Sequence, residues 1–573
     1  MVNTSINDTG KTSWHGSNAV PWFVVIVLLT IITGYRLTLI DRGHFAWGDE
    51  RYHLPAEDLV DSLMVGNVTA AVEQLFESRG PVPAARPGYV LIATVHVMAE
   101  RTWSYATGIS SESLQAFDAA SVVNVGVSLG ISICLFLLAY HWSNRNWLAG
   151  AMALLSYSLL VNANMWIRHL VAYDEALLCF LSALVILTLT AEPKREPGYE
   201  TSGRTHNWHA YGAGLLTGMG FACYPGYYAF VLINSIVALS IYRRSIASSL
   251  FLAGGATIAI FFETLAQAVG ASYLHNLTTL GSTITMGHTP ETWIFLPKYL
   301  VAVEGLVGVG LLLFSGVIVV SWLSGKVLRP PAVAMVAFSA AVGGYCMHAF
   351  MGSVLGKMVF YGRLIAMYIP MLVLFVTVVG AQHRIRAVRV AGASCLCVVS
   401  LVSFVTFATT YAGTPYPADL FFQASRNAGV NTDWPAHVLW DVPDARTPLP
   451  EPQLDHRFLM VTETRSNGAD VYVHLDDHQA IQHEDAPFIG VNLKWMFEIK
   501  MKDAPVALPE GYSILAEAVH PSANAWVAFE GYKPWERRRL LERRYKMRLL
   551  AREDTVSAHP NQRHASHSNI LDP

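Results

Sequence analysis

Apolar runs close to the length of a bilayer crossing recur eleven times between residues 20 and 410, and no other feature limits the fold of this chain so tightly. A hydrocarbon core takes ~20 mostly apolar residues per helix, and only a helix satisfies its own backbone groups in lipid. The runs are 20–40, 117–141, 146–165, 171–191, 210–224, 226–242, 249–270, 298–323, 331–350, 358–380 and 388–410. The fifth is short and meets the sixth at Tyr224-Pro225-Gly226, so the two are either a hairpin or one broken span. Charged residues make up 14% of the 573 and hydrophobic ones 53%, where a soluble domain carries about 25% charged. With 39 Lys and Arg against 42 Asp and Glu, the composition excludes a soluble enzyme, a disordered chain and an electrostatic nucleic-acid binder. What remains is a polytopic α-helical membrane protein of about eleven spans.

The first run, 20–40, has no small-residue cleavage pattern after it and is predicted to stay as a span. The Lys/Arg bias of the short loops sets orientation. With residues 1–19 in the cytoplasm, Lys11, Arg145, Lys194, Arg195, Arg204, Arg243, Arg244, Lys326, Arg329, Arg384, Arg386 and Arg389 fall inside, against Arg168, Lys298, Lys357 and Arg363 outside. An odd number of spans then places everything after Tyr411 outside as well. The six cysteines all lie in apolar runs, so the extramembrane parts are expected to hold without disulfides.

Two larger pieces are predicted on the outer side. The loop 41–116 carries amphipathic stretches at Leu54 to Phe76 and Tyr89 to Met98, expected to lie along the membrane surface. The segment 411–555, opened by Gly413, Pro415 and Pro417, shows strand-like runs at 457–462, 471–475 and 525–529 and a basic, helix-like run from Pro534 through Arg548 to Leu550. It is expected to be a small extracytoplasmic α/β domain with that helix packed on it, followed by a disordered polar tail at 556–573.

Charges within apolar runs mark function by default, because burying them in lipid is unfavourable. Arg36, Asp118, Asp174, Glu175, Glu263, Glu304 and Arg363 all fall in the outer half of their spans, which suggests a polar cavity open to that side. Each also has a plainer role: Arg36, Asp118 and Arg363 sit where side chains snorkel to the interface, and Glu263 shares a helical face with Gln267. Just past the first span stands Trp47-Gly48-Asp49-Glu50-Arg51-Tyr52.

Four stretches together resemble the multispan glycosyltransferases of the GT-C superfamily, in particular family 39, which includes dolichyl-phosphate-mannose protein mannosyltransferases and the bacterial aminoarabinose transferase that modifies lipid A. Asp49-Glu50 is similar to that family's catalytic pair in the first outer loop. Arg86-Pro87-Gly88-Tyr89-Val90-Leu91 resembles its Arg/Lys-Pro start of a second surface helix, and Arg168 through Asp174 its Arg-x5-Asp element. Tyr361-Gly362-Arg363 with Pro370 resembles its late Arg-Tyr and Pro span, although Leu364 stands where a second Tyr is common. The likeness covers residues 20–410, and the loop at 271–297 is too short for the β-trefoil insert of the eukaryotic mannosyltransferases, which points to a prokaryotic-type enzyme of the cell envelope.

The resemblance implies transfer of a sugar from a polyprenyl-phosphate donor in the membrane to a lipid, protein or glycan acceptor on the outer side. Such a reaction needs a carboxylate to accept the acceptor's proton, and Asp49 is the expected base, with Glu50 and Asp174 beside it. A departing lipid phosphate needs positive charge, which Arg86 and Arg363 would supply bidentately, with Lys357 as a third. Glu175, Arg168, Glu263 and Glu304 are expected to line the cavity. A divalent cation, if used, would sit on Asp49, Glu50 and Asp174, while a zinc site among His44, His53, His169, His275 and His288 is the less favoured expectation. A secondary transporter would explain the spans and charges too, but predicts internal repeats and a midplane site, and a silent polyprenyl-lipid binder would not need Asp49, Arg86 and Asp174 together.

Overall fold

The computed structural model describes residues 19–40, 53–77, 85–108, 114–191, 203–243, 246–284, 292–357 and 362–409, and, towards the C-terminus, 437–439, 488–492, 511–519 and 546–553. The first apolar run forms α1 (Ala19–Leu37). Then come three helices of the first loop, α2 (Leu54–Met64), α3 (Val68–Gln74) and α4 (Pro87–Thr107). Asn67 separates α2 from α3 because its side chain accepts from the Ala70 N–H and starts a new helix. The expected surface stretch from Tyr89 to Met98 is thus part of a longer helix, one face of which is buried at Tyr89, Val90, Ala93, His96, Val97 and Glu100.

The bundle continues with α5 (Leu114–Trp142), α6 (Trp147–Ser158), α7 (Val161–Met165), α8 (Tyr173–Ala191), α9 (Gly203–Cys223), α10 (Tyr228–Tyr242), α11 (Ile246–Ala268) and α12 (Tyr273–Ile284). It closes with α13 (Thr292–Val303), α14 (Gly305–Leu323), α15 (Ala332–Ser353), α16 (Gly362–Ile365), α17 (Ile369–Ala381) and α18 (Arg386–Phe407). Among the described residues eight helices are long and apolar enough to cross a membrane, and α1, α6 and α13 supply shorter apolar segments. At Tyr224-Pro225-Gly226 a one-turn corner joins two separate helices, α9 and α10.

Two expected spans are interrupted. The run 146–165 breaks at Leu159-Leu160 between α6 and α7, and 298–323 breaks at Glu304-Gly305, where Gly305 adopts a left-handed φ of 55°. The window Gly362–Ala381 is 78% buried inside the protein, whereas that of α18 is 17% buried, so α17 is central and α18 peripheral. Helix α9 lies along α11 so closely that a Cβ on Gly214 would strike the Phe251 carbonyl oxygen. Close approach through small residues replaces the hydrophobic drive that lipid cannot supply.

Four strands, β1 (His437–Leu439), β2 (Phe488–Asn492), β3 (Tyr512–Val519) and β4 (Lys546–Arg552), form one sheet in the order β1-β2-β4-β3, with β1 parallel to β2 and the other pairs antiparallel. This corrects the helix expected after Pro534 over its final part. Residues 546–552 alternate Lys-Met-Arg-Leu before they reach Leu550, and pairing on both sides selects the period of two. The runs at 457–462, 471–475 and 525–529, the remainder of the basic run, and the tail from 556 lie outside the described residues.

Candidate active site

The break after α7 builds the site. A one-turn 3-10 segment, Trp166–Arg168, passes into extended backbone at His169, and α8 then begins at Tyr173 with buried Asp174 and Glu175 in its first turn. Carboxylates there face the positive end of the helix dipole. The non-helical stretch needs partners for its carbonyls, and Asn124 on α5 supplies them by donating to His169 O at 2.8 Å and Ile167 O at 3.2 Å. The Asn124 Oδ1 faces His96 Nε2 of α4 at 2.8 Å, and the same nitrogen lies 3.6 Å from Glu175 Oε1. Burial, foremost, holds the His96 imidazole down to about 4, so its ring is uncharged near neutral pH.

Arg86 is the N-cap of α4, with φ −128° and ψ 45°, directly before Pro87 in the first turn. Gly88 lets that end of α4 rest on α9, since a Cβ there would sit 2.8 Å from the Ala222 carbonyl carbon. The two contacts bring the Arg86 guanidinium over the Tyr224 ring, 4.8 Å from its centre. Arg363, on α16, lies over the Tyr173 ring at 5.9 Å. The two rings touch edge to face at 4.8 Å, with Tyr227 packed on Tyr224 at 4.9 Å and Trp166 on Tyr173 at 4.7 Å. Two half-buried arginines from segments 277 positions apart in sequence (363 − 86) thus flank one aromatic platform, and Asp174 follows Tyr173 of that platform in sequence.

Arg36 does not snorkel. It is 1% exposed, donates through Nε to Asn164 Oδ1 at 3.3 Å and through Nη2 to Ser158 O at 3.4 Å, and its charge acts on Asp174. Asp174, 7% exposed, therefore has a buried arginine of its own beside the two on the platform. Arg36 is among the intramembrane charges expected to mark a cavity, but no site role is expected for Tyr173 or Tyr224; the signal that could find them is a tyrosine at each helix break.

The remaining acids divide. Glu304 accepts from the Val161 N–H at 2.8 Å and the Asn162 N–H at 3.0 Å, capping α7 where the break after Leu160 frees two buried donors. Glu263 holds the start of α12 in the same way, accepting from Leu274 N at 2.9 Å, Ser272 Oγ at 3.1 Å and Gln267 Nε2 at 3.0 Å. Both carboxylates thus have fixed backbone partners. Lys357 is exposed beyond the end of α15. Asp49, Glu50, His44 and His288 lie outside the described residues; His169 packs on Trp166 and His275 is exposed on α12.

Replacing Glu304 by Leu strands two buried N–H groups, and at ~1–3 kcal/mol for each unsatisfied donor the bundle should lose about 3 kcal/mol of stability. Glu304→Gln keeps one carbonyl acceptor and should lose about half as much. Thermal unfolding in detergent measures both; a Leu variant that melts with wild type would mean that the α6–α7 break does not depend on this cap.

No family model and no curated protein matches the sequence. Among solved structures, the chain is similar to ArnT from Cupriavidus metallidurans bound to undecaprenyl phosphate, at 12% identity and a TM-score of 0.48, over 77% of this chain and 84% of that one. A likeness at that level says nothing about individual residues, so the chemistry has to come from the side chains of this chain.

Proposed function

We propose that this protein is an integral-membrane glycosyltransferase that moves a sugar from a polyprenyl-phosphate donor to an acceptor on the extracytoplasmic side of the plasma membrane. The observation that carries this reading is the convergence of Arg86 and Arg363 on the touching rings of Tyr224 and Tyr173, next to Asp174. A phosphate that leaves as an anion needs fixed cations near its oxygens, not a proton donor. Guanidinium groups stacked on aromatic faces keep their planes and their charge.

In this reading Asp49 takes the acceptor's proton as it attacks the anomeric carbon, and the bond from that carbon to the phosphate oxygen breaks through an oxocarbenium-like state. Asp174, within the electrostatic reach of Arg36, helps to hold the acceptor or the sugar. The apolar faces of α1, α11, α14 and α18 meet lipid. The eleven crossings are α1, α5, α6 with α7, α8, α9, α10, α11, α13 with α14, α15, α16 with α17, and α18, with residues 1–19 cytoplasmic and the segment after Tyr411 outside as an α/β domain.

Purified protein reconstituted with a polyprenyl-phosphate sugar and a membrane extract should release free polyprenyl phosphate. No release across several sugars would overturn the transferase reading. For sidedness, a single cysteine placed after Tyr411 should react in intact cells with a thiol reagent that cannot cross the membrane. Reaction only after lysis would reverse the placement of the C-terminal domain.

A further inference from the structure

A second polar cluster lies in the first loop, where α2 meets α4. His53, fully buried at the N-terminal cap of α2, places its Nε2 atom 3.7 Å from Glu57 Oε1, one turn along the same helix, and 3.7 Å from Glu100 Oε1 of α4. One ligand atom from each of the three residues lies within 4.8 Å of the other two. Glu100 is 1% exposed and His53 is 0% exposed, so at least one carboxylate and the imidazole are out of water.

We propose that His53, Glu57 and Glu100 bind a divalent transition-metal cation of the zinc class, which ties α2 to α4. A separation of 3.7 Å is beyond hydrogen-bonding reach, yet it is near the ~3.4 Å edge of a tetrahedron whose corners stand about 2.1 Å from a central zinc. Two carboxylates and an imidazole are ligand types that a divalent cation of this class takes. The imidazole selects against magnesium and calcium, which take oxygen ligands, in favour of zinc and its neighbours. Three protein ligands leave a fourth position open.

The placement gives the cation a structural consequence. His53 stands edge-on to His96 with ring centres 6.1 Å apart, and His96 reaches both Asn124 and Glu175. A cation at His53 would therefore fix the helix pair that carries Arg86 at one end and His96 in the middle. The inference does not depend on the transferase reading, because metal binding is read directly.

The full-length protein, purified in detergent, loaded with zinc chloride and freed of excess metal by gel filtration, should retain about one zinc per chain by elemental mass spectrometry. His53→Ala and Glu100→Gln should each lose it. Asp61→Asn, which breaks the 2.8 Å pair between Asp61 and Arg101 across the same two helices, should keep it. Asp49→Asn and Asp174→Asn should also keep it; loss of zinc in either would move the cation to those acids and overturn the proposal. Cobalt loading of the wild type should give the visible absorption of a tetrahedral site, and a chelator should lower the melting temperature of the wild type. These last two measurements need no variant to fold. Less than a tenth of a zinc per chain in the loaded wild type, or full retention in both His53→Ala and Glu100→Gln, would overturn the site.

Discussion

Asp49→Asn should lower turnover by at least ~100-fold, the lower end of what a positioned general base contributes, while donor-lipid binding survives. Asn keeps the size of the side chain and its hydrogen bonding but cannot accept the acceptor's proton. Asp49 stands four residues before His53, and four residues of extended chain reach at most ~14 Å. His53 is fixed: its ring packs against His96, and His96 meets Glu175 beside Asp174. Glu50→Gln and Asp174→Asn belong in the same experiment, because each is a carboxylate that the proposed reaction could use as the base instead. Turnover of Asp49→Asn within a few-fold of wild type, with a larger fall in one of those two, would reassign the base.

The helices were legible because lipid imposes a length and a composition on any segment that crosses it, and runs such as 331–350 and 388–410 appear as α15 and α18 with ends shifted by a few residues. The breaks were not, because apolar content is blind to backbone continuity. Leu159-Leu160 is as apolar as its surroundings, and only Glu304, with two carboxylate oxygens on the freed N–H groups, shows that a break must be there. The family resemblance brought Arg86, Arg363 and Asp174 together. The tyrosines that seat the arginines stayed hidden, since Tyr224 looked like part of a turn and Tyr173 like the edge of a span. The His53 and Glu57 pair was open to view as a one-turn spacing, but its third member, Glu100, comes from another helix and needed the fold. Strand β4 was misread because Leu549-Leu550 breaks the alternation that precedes it, and only its pairing with both β2 and β3 restores the period.

The arginines carry the other large effect. If Arg86 and Arg363 hold the departing phosphate, their interaction grows as negative charge builds on the leaving oxygen, so their loss should depress turnover more than donor binding. Removing one fixed group of this kind typically costs ~10²–10³-fold in turnover. Arg86→Ala and Arg363→Ala should each fall in that range when released polyprenyl phosphate is measured. Arg→Lys at either position keeps the charge but loses the planar fork that meets two phosphate oxygens from over the Tyr224 or Tyr173 ring, so it should retain an intermediate rate. The platform makes a further distinction. Tyr224→Phe keeps the face under Arg86 and should stay near wild type, whereas Tyr224→Leu removes the face, leaves the arginine poorly oriented and should resemble Arg86→Lys. A transporter would give another pattern, with substrate affinity falling in step at both arginines and no sugar leaving its lipid in any variant. Release at the wild-type rate in both Arg→Ala variants would leave an enzyme whose phosphate is held elsewhere, and the touching tyrosines would then be packing alone.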